Sequence, residues 1–238
     1  MSHPAITPEI LPLGQDGIVV RFARAVSPEA SAAVARFSEA AKALPVVEIA
    51  PALASVMLRF DPRQERRSAI EPALREILAG EWTGLSDPKP KRRWHIPVVL
   101  DGPGLTESAQ MAGVTVEDAI KELTEHELRV RAIGFAPGLP YLGFLPEHWN
   151  IARQHDLTPR VESGALVVAV RQLVLFPTAS KTGWRQVGRA AFRPFRPEAR
   201  EPFLLQAGDA VRLEQVAKSE WQSLENTELG GAHCEELA

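Results

Sequence analysis

The sequence predicts an α+β protein built as two domains, and three observations carry that prediction. Up to Gly80 the strand and helix signals run in the order β-α-β-β-α. The span Gly84-Leu-Ser-Asp-Pro-Lys-Pro-Lys91 gathers glycine, proline and charge in the manner of a linker. Beyond Leu128 helical periodicity gives way to short β-type runs parted by Gly and Pro turns, the pattern of a small barrel or sandwich. A chain of 238 residues has room for one large domain or two small ones, with a substantial core in either case.

Gly17-Ile-Val-Val-Arg-Phe22 reads as a short strand opened by an Asp-Gly turn. From Pro28 to Leu44, Ala30, Ala33, Val34, Phe37, Ala41 and Leu44 recur at spacings of three and four, which predicts a helix. Ser27 is its N-cap and Pro28 its first helical residue. Val46–Ala50 and Ser55–Phe60 are strands separated by Pro51, the second alternating Val56, Leu58 and Phe60 on one face. A helix follows from Ser68 to Ala79 with Ile70, Leu74, Ile77 and Leu78 inward, and Gly80 stops it.

After the linker, Arg93–Leu100 is a strand and Asp101-Gly-Pro-Gly104 a turn. Helices are expected over Leu105–Ala112 and, after a Thr115 cap, Val116–His126. The β-type runs are Leu128–Phe135, Ala165–Val170, Leu173–Phe176, Trp184–Ala190 and Ala210–Leu213. A last helix from Ala217, through Trp221 and Leu224, leads into a tail.

Composition excludes several function classes. Net charge is −3 and pI about 6.1, so no global field points to nucleic acid or acidic lipid. The basic clusters Arg63–Arg67 and Lys89–Arg93 read as solvated surface. A single cysteine, Cys234, rules out a disulfide within the chain. The opening MSHPAITPEI lacks the plan of a signal peptide, and no apolar run reaches the ~18 residues of a membrane span. A cytoplasmic protein is the expectation.

The chemistry-bearing residues form no general catalytic motif. The six histidines make no pair at helical ligand spacing and have no cysteine support, so no metal site is expected. Ser180-Lys-Thr-Gly-Trp184 contains a Lys-Thr pair without the rest of a phosphate loop, and no G-x-S-x-G elbow exists. Asp209 reads as a turn residue whose carboxylate satisfies local N–H groups. Gln172, between apolar strands, either ties a loop or reads a ligand. Trp184 is either a core plug or a stacking platform. The unusual segment is IGFAPGLPYLGFLP, from Ile133 to Pro146. It is too apolar for a surface turn, too rich in Gly and Pro for a core strand, and holds the only tyrosine.

That segment resembles one family, in order and spacing with others downstream. These are Pro159-Arg160, Ser163–Gln172, Phe176-Pro177, Ser180 with Gly183-Trp184, Gly188-Arg189 and Ala207–Leu213. Together with Gly134-Phe-Ala-Pro-Gly-Leu-Pro-Tyr-Leu-Gly143 they identify the chain as similar to the KipI family, also known as the 5-oxoprolinase B subunit or allophanate hydrolase subunit 1. The match runs over roughly Arg93 to Glu214, about half of the chain. The resemblance implies a ferredoxin-like N-terminal domain (1–85), a cyclophilin-like β-barrel (92–225) and a flexible tail (226–238). It implies a subunit of an ATP-dependent 5-oxoprolinase, converting 5-oxoproline, ATP and water to glutamate. The implied partners are a KipA-like protein, the C-type component of such complexes, and a LamB/YcsF-like subunit, with ATP shared among them.

The alternatives it implies are a regulatory binding protein of the histidine-kinase-inhibitor type, with Tyr141 and Phe144 as anchors, and a paralogue with changed substrate. Carried over residue by residue, the substrate-binding set is Phe135, Pro137, Gly138, Tyr141, Gln172, Ser180, Lys181, Trp184 and Arg189. The chain departs from the family pattern at Leu123, where the family has His, and at Ala169–Val170, where a Gly is lost. Leu173-Val174 replace Thr-Gly, and Lys181-Thr182 stand in a loop that usually reads Ser-Pro-Gly-Gly-Trp.

Overall fold

Ile18, Val20 and Phe22 alternate with outward residues, as do Val56, Leu58 and Phe60, so two adjacent strands present one apolar face. The computed structural model describes residues 6–237, and the chain divides into two units, Met1–Lys89 and Pro90–Ala238. In the first, strands β1 (Glu9–Leu13), β2 (Gly17–Arg21), β3 (Glu48–Pro51) and β4 (Ser55–Arg59) form an antiparallel sheet in the order β1-β2-β4-β3. Helices α1 (Pro28–Ala40) and α2 (Arg67–Leu78) contribute Ala33, Val34, Phe37, Ile70 and Leu74 to a core with that face. Trp82 completes it, its ring 5.1 Å from Phe22 and 6.1 Å from Phe37. The Ser27 hydroxyl accepts from the Ala30 amide at 3.1 Å, the cap that the sequence predicts. Strand β1 has no counterpart in the sequence pattern. It is an edge strand interrupted by Pro12, and its apolar residues stay half-exposed.

The second unit carries β5 (Arg92–Val99), α3 (Leu105–Ala112), α4 (Val116–Glu125), β6 (Leu128–Ile133), β7 (Pro140–Gly143), β8 (Thr158–Val161) and β9 (Ala165–Ala169). Then come β10 (Gln172–Leu175), β11 (Ser180–Thr182), β12 (Arg185–Ala190), β13 (Ala210–Gln215), α5 (Lys218–Leu224) and β14 (His233–Glu236). The sheet order β12-β9-β10-β7-β6-β13-β5 closes through a β12–β5 pairing into a seven-stranded barrel. Its β13–β5 pair is parallel; the other pairs are antiparallel. The chain is therefore of mixed α+β class with a β-barrel.

Inward residues fill the barrel, among them Ile96, Val98, Val130, Leu142, Leu166, Val168, Leu173, Val187 and Leu213, and α3 and α4 add Leu105, Ala109, Ala119 and Leu123. Leu123 is fully buried in this core, which accounts for an apolar residue at that departure. The Asp101–Gly104 turn lies against the β12 backbone: a Cβ at Gly102 would stand 2.4 Å from the Gln186 carbonyl oxygen.

Residues 226–238, expected as a flexible tail, instead carry β14. It pairs with β5 from His233↔His95 to Glu236↔Arg92, and Ala232 is buried in the barrel core. The two arginines of Lys89–Arg93 are spent on carboxylates. Arg92 makes a bidentate pair with Asp209, at 3.0 and 2.6 Å, and Arg93 pairs with Glu127 and Glu235. Asp209 also accepts from the Gln206 amide at 2.8 Å, which confirms its structural role in the turn.

Candidate functional site

Strands β7, β9 and β10 bury apolar residues on both faces. Outward-facing Ala165, Val167, Ala169, Val174 and Phe176 form a second cluster with Leu139, Val161 and Trp184, and Tyr141 packs against it. Register places the polar groups on this outer face. Val174 lies opposite Tyr141, and Gln172 opposite Gly143, so Gln172 and Tyr141 are diagonal neighbours.

The loop Gly134–Leu139 leads directly into β7. It is closed by Gly134 N–H to the Leu139 carbonyl and Leu139 N–H to the Ala136 carbonyl, both 3.1 Å. Phe135 has φ 72, a left-handed conformation that side chains other than glycine rarely adopt, and its ring is 78% exposed. Pro137 beside it is exposed. Gly138 has φ 69 and backs onto Phe195, where a Cβ would lie 2.5 Å from the Phe195 Cβ. This glycine is thus required twice, by its backbone angle and by the close approach. It sets the path of the loop.

Trp184 is buried and meets Tyr141 edge to face, centroids 6.1 Å apart at 70°. Thr182, itself buried, accepts from the Trp184 amide at 3.1 Å, so the residue that departs from the family loop anchors the tryptophan backbone. The guanidinium of Arg153 stands over the indole ring, 5.5 Å from the centroid. Burial pushes the Tyr141 phenol above its ordinary pKa, while Arg153 pulls it down. The hydroxyl therefore remains a proton donor at neutral pH. Gln172 is 2% exposed and its Nε2 has no hydrogen-bond partner. An amide that tied a loop would have spent that donor.

The altered turn before Gln172 also has a physical account. Val170 and Arg171 occupy a two-residue hairpin loop with φ 44 and φ 64, where glycine is the comfortable choice. The segment 145–151 pins the turn. The Val170 amide donates to Ile151, the Arg171 amide to Trp149, and Arg171 Nε to the Leu145 carbonyl. Phe144 next to this strap lies between the guanidinium groups of Arg131 (5.1 Å) and Arg171 (5.7 Å).

Of the nine residues read from the sequence, Tyr141, Gln172 and Trp184 share this face, and Phe135, Pro137 and Gly138 form the loop that enters it. Ser180 and Lys181 sit on β11, which pairs with β8, and Lys181 is exposed. Arg189 is held elsewhere, at the far end of β12. It donates to Asp101 at 2.9 Å and stacks on Trp221 at 4.5 Å. Sequence reasoning missed Arg153. It belongs to no motif segment, and no periodicity marks the loop 150–157 that carries it.

Residues 8–205 match the family model described as "Carboxyltransferase domain, subdomain C and D". The chain is 30% identical over 208 residues to the 5-oxoprolinase B subunit of Escherichia coli O157:H7, covering 84% of this chain and 93% of that protein. It is 26% identical over 236 residues to the 5-oxoprolinase B subunit of Bacillus subtilis, covering 90% and 95%. Among solved structures, TTHA0988 is similar with a TM-score of 0.70 and 31% identity, over 85% of this chain. This chain spans 40% of the length of that one.

Proposed function

Since the chain belongs to the carboxyltransferase-domain family of subdomains C and D, we propose that it is the B-type subunit of an ATP-dependent lactam hydrolase of the 5-oxoprolinase kind. The observation that carries the reading is kinship along nearly the whole length of two proteins of that name. The substrate is 5-oxoproline, opened to glutamate with ATP and water, and the partners are a KipA-like subunit and a LamB/YcsF-like subunit in the cytoplasm. ATP supplies activation of the lactam oxygen and is shared with those subunits. This chain's own part is to bind and orient. Gln172 Nε2 and the Tyr141 hydroxyl donate to acceptor oxygens, Trp184 holds Tyr141 and Arg153 in place, and the Phe135–Gly138 loop leads into the strand that carries Tyr141.

In this reading the first unit is ferredoxin-like. β2, α1, β3, β4 and α2 follow the βαββα order with β2-β4-β3 adjacent, and β1 takes the edge where the last strand of such a fold lies. The barrel is of the cyclophilin-like kind. The test is co-expression with KipA-like and LamB/YcsF-like subunits. Hydrolysis of ATP stimulated by 5-oxoproline is the expected result, and a complex without that stimulation sinks the reading.

A second reading, a regulatory binding protein, is favoured by one observation. Phe135 and Phe203 are 78% and 49% exposed, more apolar ring than a loop tip needs for folding. A stable complex with no lactam-dependent turnover supports it.

A further inference from the structure

Most arginines around the outer face of the barrel are spent on carboxylates: Arg160 on Glu162, Arg171 on Glu147, Arg189 on Asp101 and Arg196 on Glu228. Arg153 is different. Among the described residues no carboxylate lies within ion-pair reach of it; its partner is the face of Trp184. A guanidinium stacked on an indole keeps its in-plane N–H groups free, in the fork geometry that takes a carboxylate or a phosphate edge. Its charge reaches Tyr141, whose ionised form it favours. Close by are two more donors without a protein acceptor, the Tyr141 hydroxyl and the buried Gln172 Nε2. Donors collected on one face, with no acceptor to answer them, specify a ligand rich in acceptor oxygens and negatively charged. Lys181, the cation expected from sequence, is exposed on the β11 ribbon.

We propose that Arg153 is the specificity-determining residue of this face, selecting a ligand that carries an oxyanion over a neutral amide. The oxyanion is the carboxylate of a lactam acid or a terminal phosphate. The proposal rests on the reading of the Tyr141–Trp184 face as the ligand site.

The test titrates the full chain calorimetrically with L-5-oxoproline, with 2-pyrrolidinone (the same lactam lacking the carboxylate) and with inorganic pyrophosphate. Wild type is compared with Arg153→Gln and Arg153→Lys. Wild type is expected to bind 5-oxoproline about tenfold or more tighter than 2-pyrrolidinone. Arg153→Gln erases that preference without weakening 2-pyrrolidinone, and Arg153→Lys retains part of it. A loss confined to pyrophosphate assigns the oxyanion to phosphate. Unchanged anion affinities in Arg153→Gln overturn the proposal, and so does an equal loss for the neutral lactam, which marks a packing role. Should wild type bind pyrophosphate through Arg153 but neither lactam, the lactam reading falls and the Arg153 assignment stands. Should it bind none of the three, the assignment falls as well.

Discussion

Leu142, Leu173 and Val168 point into the barrel, while Tyr141, Gln172 and Val167 on the same strands point out of it. Both faces are covered, but they are finished differently. The inner core is built of apolar side chains, and the polar atom it leaves unpartnered, Trp94 Nε1, rides on a large ring whose burial stabilises. The outer face buries an amide nitrogen with no partner and holds a half-buried phenol beside an indole. Leaving a buried donor unmade costs about 1–3 kcal/mol, and an apolar residue of similar shape at 172 avoids that cost. A face built for stability alone has no use for Gln172. The difference separates residues that hold the barrel from residues that hold something against it.

Three measurements press on that contrast. The largest effect is expected inside: Leu142→Ala should cost about 2–5 kcal/mol in urea denaturation, because a fully buried side chain is removed from a closed core. A cost below about 1 kcal/mol, on the order of an exposed site, would mean that the inner face is not the tight core described. On the outer face, Gln172→Leu should leave stability within about 1 kcal/mol of wild type or raise it, since it removes an unsatisfied donor. The same variant should lose lactam-dependent turnover in the assembled complex. Strong destabilisation instead would make Gln172 a structural tie and erase the contrast.

The smallest effect is a titration. Tyr141 is the only tyrosine, so phenolate absorbance reads it alone. Its pKa should lie above the ordinary phenol value through burial, and Arg153→Gln should raise it further by removing the cation that favours phenolate. A phenol whose folded pKa exceeds its unfolded one favours the neutral form. The folded state therefore loses relative stability as pH climbs from the unfolded value, about 10, through the folded one. A pKa that falls or stays still in Arg153→Gln would separate the arginine from this face.

Elements with their own apolar period are legible without coordinates. They include β2, β4, α1, α2 and the helices α3 and α4, as well as the barrel runs that form β9, β12 and β13. β1, β7, β8, β11 and β14 are not. β7 lies inside the Gly- and Pro-rich stretch, and its four residues become a strand because β6 and β10 flank them. β14 has no buried residue and is a strand only by pairing with β5. Elements of that kind are specified by their neighbours, and a pattern search along one segment has no access to neighbours.

The residues of the site divide in the same way. Gly138 and Gln172 sit at turns whose backbone geometry is local, a left-handed glycine and a two-residue hairpin, while Tyr141 lies on β7 and takes its place from β6 and β10. Sequence alone determined the two turns, because turn chemistry is a short-range rule. The places of the cations were decided only by tertiary structure. Arg189 has the look of a site residue in the sequence and is held by Asp101 and Trp221, while Arg153 carries no sequence signal and stands over Trp184. Long side chains on irregular loops take their position from whatever surface packs beneath them, and here that surface is an indole brought up by a different part of the chain.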